Sequence, residues 1–235
     1  MRAVFKREFK SYFSSPIGYI YLGVMFFFSS VAFVQMLNAH VSQIEYVFSQ
    51  MFATAMMLIP LITMRLLSEE KRLKTDQLLF TNPVNISGVV IGKYLAAFLM
   101  YMIAISSTLV YIVIVSTFVS PNWNIFLGNY LGLALLGAAL IAIGMFISAL
   151  TESQVISGIM TFASVVLIMS IDTVMVKIPE SMSWVSKVIG SLSFTTRYSD
   201  FITGILDIRH ILFFVSIAAV FVFLTVRIIE RRRWS

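Results

Sequence analysis

Residues 125–150 read IFLGNYLGLALLGAALIAIGMFISAL, without one Asp, Glu, Lys, Arg or His. At about 1.5 Å per residue such a helix outreaches a hydrocarbon core of roughly 30 Å. The run is therefore a membrane span, and five further stretches meet the same test. In chain order the six are approximately Ile17–Leu37, Val47–Met64, Tyr94–Val119, Ile125–Leu150, Val155–Val176 and Ile211–Ile229. The third and fourth are long enough to tilt or protrude. The second is short and carries Pro60 near one end, a kink tolerated where a neighbour satisfies the freed carbonyl. The expected fold class is an all-α polytopic membrane protein.

Composition agrees. Of 235 residues 59% are apolar and 12% charged, with a mean hydropathy of +0.94. Soluble domains carry about 25% charged residues, so a water-soluble or disordered chain is excluded. There is no cysteine, which removes disulfides, thiolate nucleophiles and Cys-ligated metals. A net charge of +6 would suggest nucleic acid in a soluble protein; here it is a topology signal, and no nucleic-acid partner is expected.

Counting Lys and Arg in alternate loops places 13 on one side of the membrane and 4 on the other. The larger group includes Arg2, Lys6, Arg7 and Lys10 before the first span and Arg231, Arg232 and Arg233 after the last. Both termini are thus expected in the cytoplasm. The apolar run after Pro16 is too long for the h-region of a cleaved signal and closes on no small-residue site, so it is expected to remain as a span.

Three segments outside the spans have character of their own. In residues 1–16, Phe5, Phe9, Tyr12 and Phe13 share one arc of a helical wheel, with Lys6, Arg7 and Lys10 on the next. This pattern predicts an interfacial helix, aromatic side in the acyl boundary and basic side toward anionic headgroups. The alternative is a solvated basic tail, which has no use for four aromatics. Pro16 suits the start of a new helix.

Residues 65–93 open with Glu69, Glu70, Lys71, Arg72 and Lys74, then run Thr75-Asp76-Gln77-Leu78-Leu79-Phe80-Thr81 up to Asn82-Pro83. Thr75 suits an N-cap and Asp76 the positive end of the helix dipole. Pro83 stops a helix at Asn82. A short helix presenting Leu78, Leu79 and Phe80 outside the membrane needs either a partner or the bilayer surface itself. The third segment, 177–210, is too long for a mere connection. Its short apolar patches suit re-entrant or interfacial helices; a small external lid is the alternative.

The sequence encodes no nucleotide site. Its only Gly-Lys pair, Gly92-Lys93, has Ser87 where a P-loop needs Gly and Tyr94 where it needs Ser or Thr. His40 and His210 lie in loops without metal-binding spacing, so no catalytic, cofactor-binding or metal residues are expected. Asp172 is the sole acidic residue within a span away from a last turn, and it sits toward the outer end, where a proton relay has little use for it. Gly88/Gly92 and Gly128/Gly132 are GxxxG pairs, read as helix-packing contacts.

Four stretches carry a family resemblance: KREFKSYFSSPIGYIYLGV from Lys6, SEEKRLKTDQLLFTNPVNISGVVIGKYLAAF from Ser68, ISALTESQVISGI from Ile147, and SDFITGILDIRHILFFVSI from Ser199 with RIIERRRW beyond it. With them the chain resembles the permease subunits of type-2 ABC exporters, in particular the gliding-motility-associated permeases and their relatives. The resemblance covers 1–235 as a single permease domain in a bacterial cytoplasmic membrane. It implies a second permease subunit, the same or homologous, and two ABC ATPase subunits on separate chains. Phe5–Phe13 then resembles the elbow helix and Thr75–Thr81 the cytoplasmic coupling helix, with Glu69, Glu70 and Arg72 before it. Leu150–Gln154, with Glu152, resembles the second, smaller cytoplasmic contact with the ATPase, and 180–209 resembles paired re-entrant helices. An ion-coupled carrier or channel is the rival reading, and a lipid-acting membrane enzyme a weaker one. Neither the transported substrate nor a homodimer as against a heterodimer follows from these residues.

Overall fold

The computed structural model describes residues 1–39, 44–74, 85–176, 190 and 193–233, with side chains undescribed at 172–176 and 232–233. Among these the structure is all-helical, with six helical segments long and apolar enough to cross a membrane. The elements are α1 Arg2–Ser14, α2 Pro16–Asn38, α3 Glu45–Thr63, α4 Ser68–Arg72, α5 Ile86–Ile105, α6 Ser107–Ser116, α7 Trp123–Leu150, α8 Gln154–Val176, α9 Phe194–Ile202 and α10 Ile208–Arg233. Side-chain caps start several of them. Ser15 accepts from the Ile17 N–H ahead of Pro16 in α2, Asn85 accepts from Ser87 N–H in α5, and Asn122 from Asn124 and Ile125 in α7.

The spans follow the hydropathy reading with one displacement. The third begins at Ile86 rather than Tyr94, so Lys93 lies inside a helix and not in a loop. It is also interrupted at Ser106, between α5 and α6. There the Leu109 N–H reaches back only to the Ser106 carbonyl, and the hydroxyls of Ser107 and Thr108 donate to the carbonyls of Ala104 and Ile105. Three consecutive hydroxyl residues, Ser106, Ser107 and Thr108, thus supply donors to carbonyls at the break between α5 and α6.

The central element is α7, which touches α3, α5, α8, α9 and α10. Its buried residues are mostly Leu, Ile, Ala and Gly, with Phe126, Met145 and the polar Asn129 and Ser148 and no charge, as the opening sequence requires. By contrast, α8 and α10 expose long apolar faces, among them Val155, Ile159, Leu167, Leu212 and Phe223. In a chain that spans a bilayer such faces meet acyl chains or another membrane subunit.

With six crossings, α1, α4, the α7–α8 turn and the C-terminal part of α10 share one end of the bundle, here called the base. The start of α7 and α9 occupy the opposite, far end. Part of segment 177–210 is described, and it contains α9 with Phe194, Tyr198 and Phe201 buried. Gly204, at φ +80°, turns the chain out of α9 and toward α10. The two GxxxG pairs do make packing contacts. A Cβ at Gly132 would lie 2.7 Å from Cβ of Phe201, and one at Gly92 would lie 3.2 Å from the Met1 carbonyl oxygen.

Candidate functional site

The base gathers almost all the predicted site residues that are described. Helix α1 lies against α5 and reaches α2. Phe5, Phe9 and Phe13 form a ring ladder along it, half-buried, with centroid separations of 6.0 and 5.2 Å. Tyr12 departs from the wheel reading. It turns into the helical body, 2% exposed, and its hydroxyl donates to the Ile62 carbonyl at 3.1 Å. Burial pushes the Tyr12 phenol upward, only partly opposed by Arg65, so it stays a donor. The Arg65 guanidinium sits 5.4 Å from the Tyr12 ring centroid and donates to Ser11 Oγ at 2.6 Å and Ser15 Oγ at 2.7 Å. A cation at the end of the second span thus ties α3 to α1 and to the α1–α2 junction.

Helix α4 carries Glu69, Glu70 and Arg72. Its start is fixed by Ser148 of α7, whose hydroxyl accepts from the backbone N–H of Leu67 and Ser68, both at 3.0 Å. Lys71 Nζ donates to the Ala149 carbonyl. These bonds hold α4 on the end of α7, next to the turn that carries exposed Glu152. Glu69 stands 3.7 Å from Arg65 Nε, and Arg72 is exposed. Glu70 turns inward.

There it enters a charge cluster. Lys93 Nζ, on a residue 1% exposed, lies 2.9 Å from Glu70 Oε1 and 3.2 Å from Glu8 Oε1. Arg7 Nη2 bridges the same two oxygens from the solvent side, at 2.9 Å to Glu8 and 3.1 Å to Glu70. Among the described residues two carboxylates and two cations meet here, so the buried ammonium has the counter-charge it requires. Three elements meet in this quartet: α1 through Arg7 and Glu8, α4 through Glu70, and α5 through Lys93.

Glu8, Lys93, Arg65 and Ser148 were not among the predicted site residues. The local sequence holds no sign of their pairing, since Glu8 and Lys93 are 85 positions apart. The one usable hint was a lysine heading an apolar run, where it reads as a topology charge. Thr75, Asp76, Leu78, Leu79 and Phe80 lie outside the described residues, as does His40. The described chain leaves α4 at Lys74 and returns at Asn85, so both roots of the segment 75–84 belong to the base.

The far end has its own polar contacts. His210 Nε2 donates to Asp200 Oδ2 at 2.6 Å while Arg197 donates to His210 Nδ1 at 3.1 Å. Among the described residues no group of three His, Asp or Glu side chains is arranged to hold a metal ion. What the base offers is a short helix, α4, fastened by side chains to α1, α5 and α7, on a surface that collects basic residues.

Compared with known proteins, residues 31–227 match the family model described as ABC-2 family transporter protein. No curated protein matches the chain.

Proposed function

The chain belongs to the ABC-2 family of transporter proteins, as the transmembrane permease of an ABC transporter, and from that premise we propose that it is an exporter subunit driven by ATPase subunits on separate chains. The match along 31–227 is the observation that carries this reading. A chain without a nucleotide motif has no energy source of its own, and the family works with one. On the proposal, two permease subunits, identical or homologous, enclose the substrate pathway, and residues 1–235 form one domain. The subfamily is the gliding-motility-associated one, and the setting a bacterial cytoplasmic membrane with both termini inside. The basic residues of α1, α4 and the end of α10 at one end of the bundle support that orientation.

In this reading α1 serves as the elbow helix, and residues 75–81 dock in a groove of the ATPase. Exposed Arg72 and Glu152 flank that contact, with Glu69 beside Arg65. Closure of the ATPase dimer on ATP pushes the segment, and the packed spans, which have two arrangements rather than a continuum, switch the cavity between inner and outer access. The permease contributes no bond-making step. Its work is a differential affinity of the ATPase for two helix arrangements.

The test is purification of the assembled complex in mild detergent with identification of what accompanies the chain. ATPase subunits in stoichiometric yield are expected. Phe80→Asp then places an unpaired charge in the docking groove, and the yield of bound ATPase is expected to collapse. Solute movement by the chain alone in vesicles, with no ATPase present, would contradict the proposal.

A further inference from the structure

A lysine 1% exposed is an expensive residue to keep at a helix contact. Buried ion pairs add little net stability compared with apolar packing, and their best-attested use is to fix register between elements. Lys93 has such a register to fix. It stands two turns into α5, the helix on the outgoing root of segment 75–84, and pairs with Glu70 of α4, on the incoming root. The same ammonium pairs with Glu8 of α1, and Arg7 closes the cluster from outside.

The neighbouring backbone makes the contact tighter. Gly92 precedes Lys93, and α1 rests on its bare backbone: an added Cβ would come within 3.2 Å of the Met1 carbonyl oxygen and 3.3 Å of Val4 Cβ. At its other end α1 meets α2 just as closely, with the Tyr12 carbonyl oxygen 2.2 Å from the position of a Cβ on Gly18. Tyr12 and Arg65 fasten α1 to the end of α3. Thus α1 is bound to the first, second and third spans and, through one shared ammonium, to both roots of the loop.

We infer that Lys93 is a positioning residue that locks α1, α4 and α5 into one moving unit, so that force applied to segment 75–84 reaches the first span through α1. The direction of force rests on the proposed ATPase partner; the lock itself does not. The helix before the first span is then a strut in the transmission, where a mere interfacial float would follow the bilayer.

The absence of cysteine allows the lock to be read directly. Spin labels on Lys10→Cys in α1 and Leu73→Cys at the end of α4, both exposed positions, report the α1–α4 separation by pulsed electron resonance in nanodiscs. One narrow distance peak is expected, unchanged between the nucleotide-free complex and the complex arrested with ATP. Lys93→Met is expected to lose that single peak, and Lys93→Arg, which keeps the charge, to retain it. Should Lys93→Met not fold, Glu8→Gln releases only the α1 arm and is expected to broaden the same peak. A wild-type peak that shifts on ATP arrest, or a narrow peak in folded Lys93→Met, would overturn the inference. The label pair on the permease alone separates the two proposals. A narrow peak there with no ATPase captured leaves the lock standing and removes the exporter reading, while a broad peak removes the lock.

Discussion

Each end of the bundle holds one short helix against α7, and the two ends do it by opposite means. At the far end α9 is seated by shape. Phe201, fully buried, fills the space over Gly132, Tyr198 stacks on Phe52 at 4.4 Å, and Asn129 Nδ2 donates to the Ile202 carbonyl at 3.1 Å. At the base α4 is seated by hydrogen bonds and charge: Ser148 on its first N–H groups, Lys71 on Ala149, and Glu70 in the quartet with Lys93. Ring packing into a glycine groove offers a single good arrangement. A buried charge cluster shared by three elements fixes the register between them without filling a shaped groove. The far end is held by packing, and on the inference drawn above the base moves as one piece.

Removing Lys93 should strain this contrast most. Lys93→Met leaves the Glu8 and Glu70 carboxylates at the α1–α5 contact without their buried cation. A cost of about 4 kcal/mol is expected, the ordinary scale for breaking a buried pair by deleting one partner. Thermal unfolding in detergent measures it. Phe201→Ala comes next, at about 3 kcal/mol by the same assay, the low end for a buried phenylalanine. Lipid tails are as apolar as the ring, so the void over Gly132 carries most of that loss. The two variants should also differ in kind. Phe201→Ala is expected to leave the α1–α4 separation untouched, whereas Lys93→Met changes it. If Phe201→Ala proves the more costly, the far end dominates the stability of the bundle and the contrast must be redrawn.

The sequence carried the architecture further than the site. Six uncharged runs and their flanking charges are local features, and each span emerged near its expected place. The start of the third span did not, because Asn85, Ser87 and Lys93 look like loop residues until a partner accounts for the lysine. Glu8 and Glu70 supply that account from distant positions, and no helical or strand period connects 8, 70 and 93. Tyr12 was misplaced for a related reason. On a wheel it joins Phe5, Phe9 and Phe13, but a wheel cannot tell lipid from the end of α3, and only the Ile62 carbonyl explains its inward turn. Gly92 and Gly132 were legible as packing residues, though not which ring or helix each would meet. The contact residues at 75–80 are sequence inferences still, and Phe80→Asp is their test.

Tyr12→Phe sharpens the picture of how α1 is held. It removes one buried hydroxyl but keeps the ring under Arg65, leaving the Ile62 carbonyl without this donor. The expected loss is about 1 kcal/mol, the net worth of a single neutral hydrogen bond. A loss several times greater would mean that the α1–α3 contact, and not the Lys93 quartet, fixes α1 in place.

Arg7→Ala should have the smallest effect of the set, and that smallness is informative. Arg7 touches the same two carboxylate oxygens as Lys93, at nearly the same distances, so a tally of contacts would rank the two cations alike. Their surroundings differ: the Arg7 side chain is 60% exposed and that of Lys93 2%. Water and salt already solvate the guanidinium, and an exposed pair of this kind is worth about 0.5 kcal/mol. Arg7→Ala is therefore expected to lower the unfolding midpoint slightly at low ionic strength and not at all at high salt, where screening has removed the wild-type advantage. Lys93→Met should keep most of its deficit at both. A salt-independent loss in Arg7→Ala equal to that of Lys93→Met would show that the quartet is a solvated cluster without an inner member, and the base would then lack the buried pin on which its movement as one piece depends.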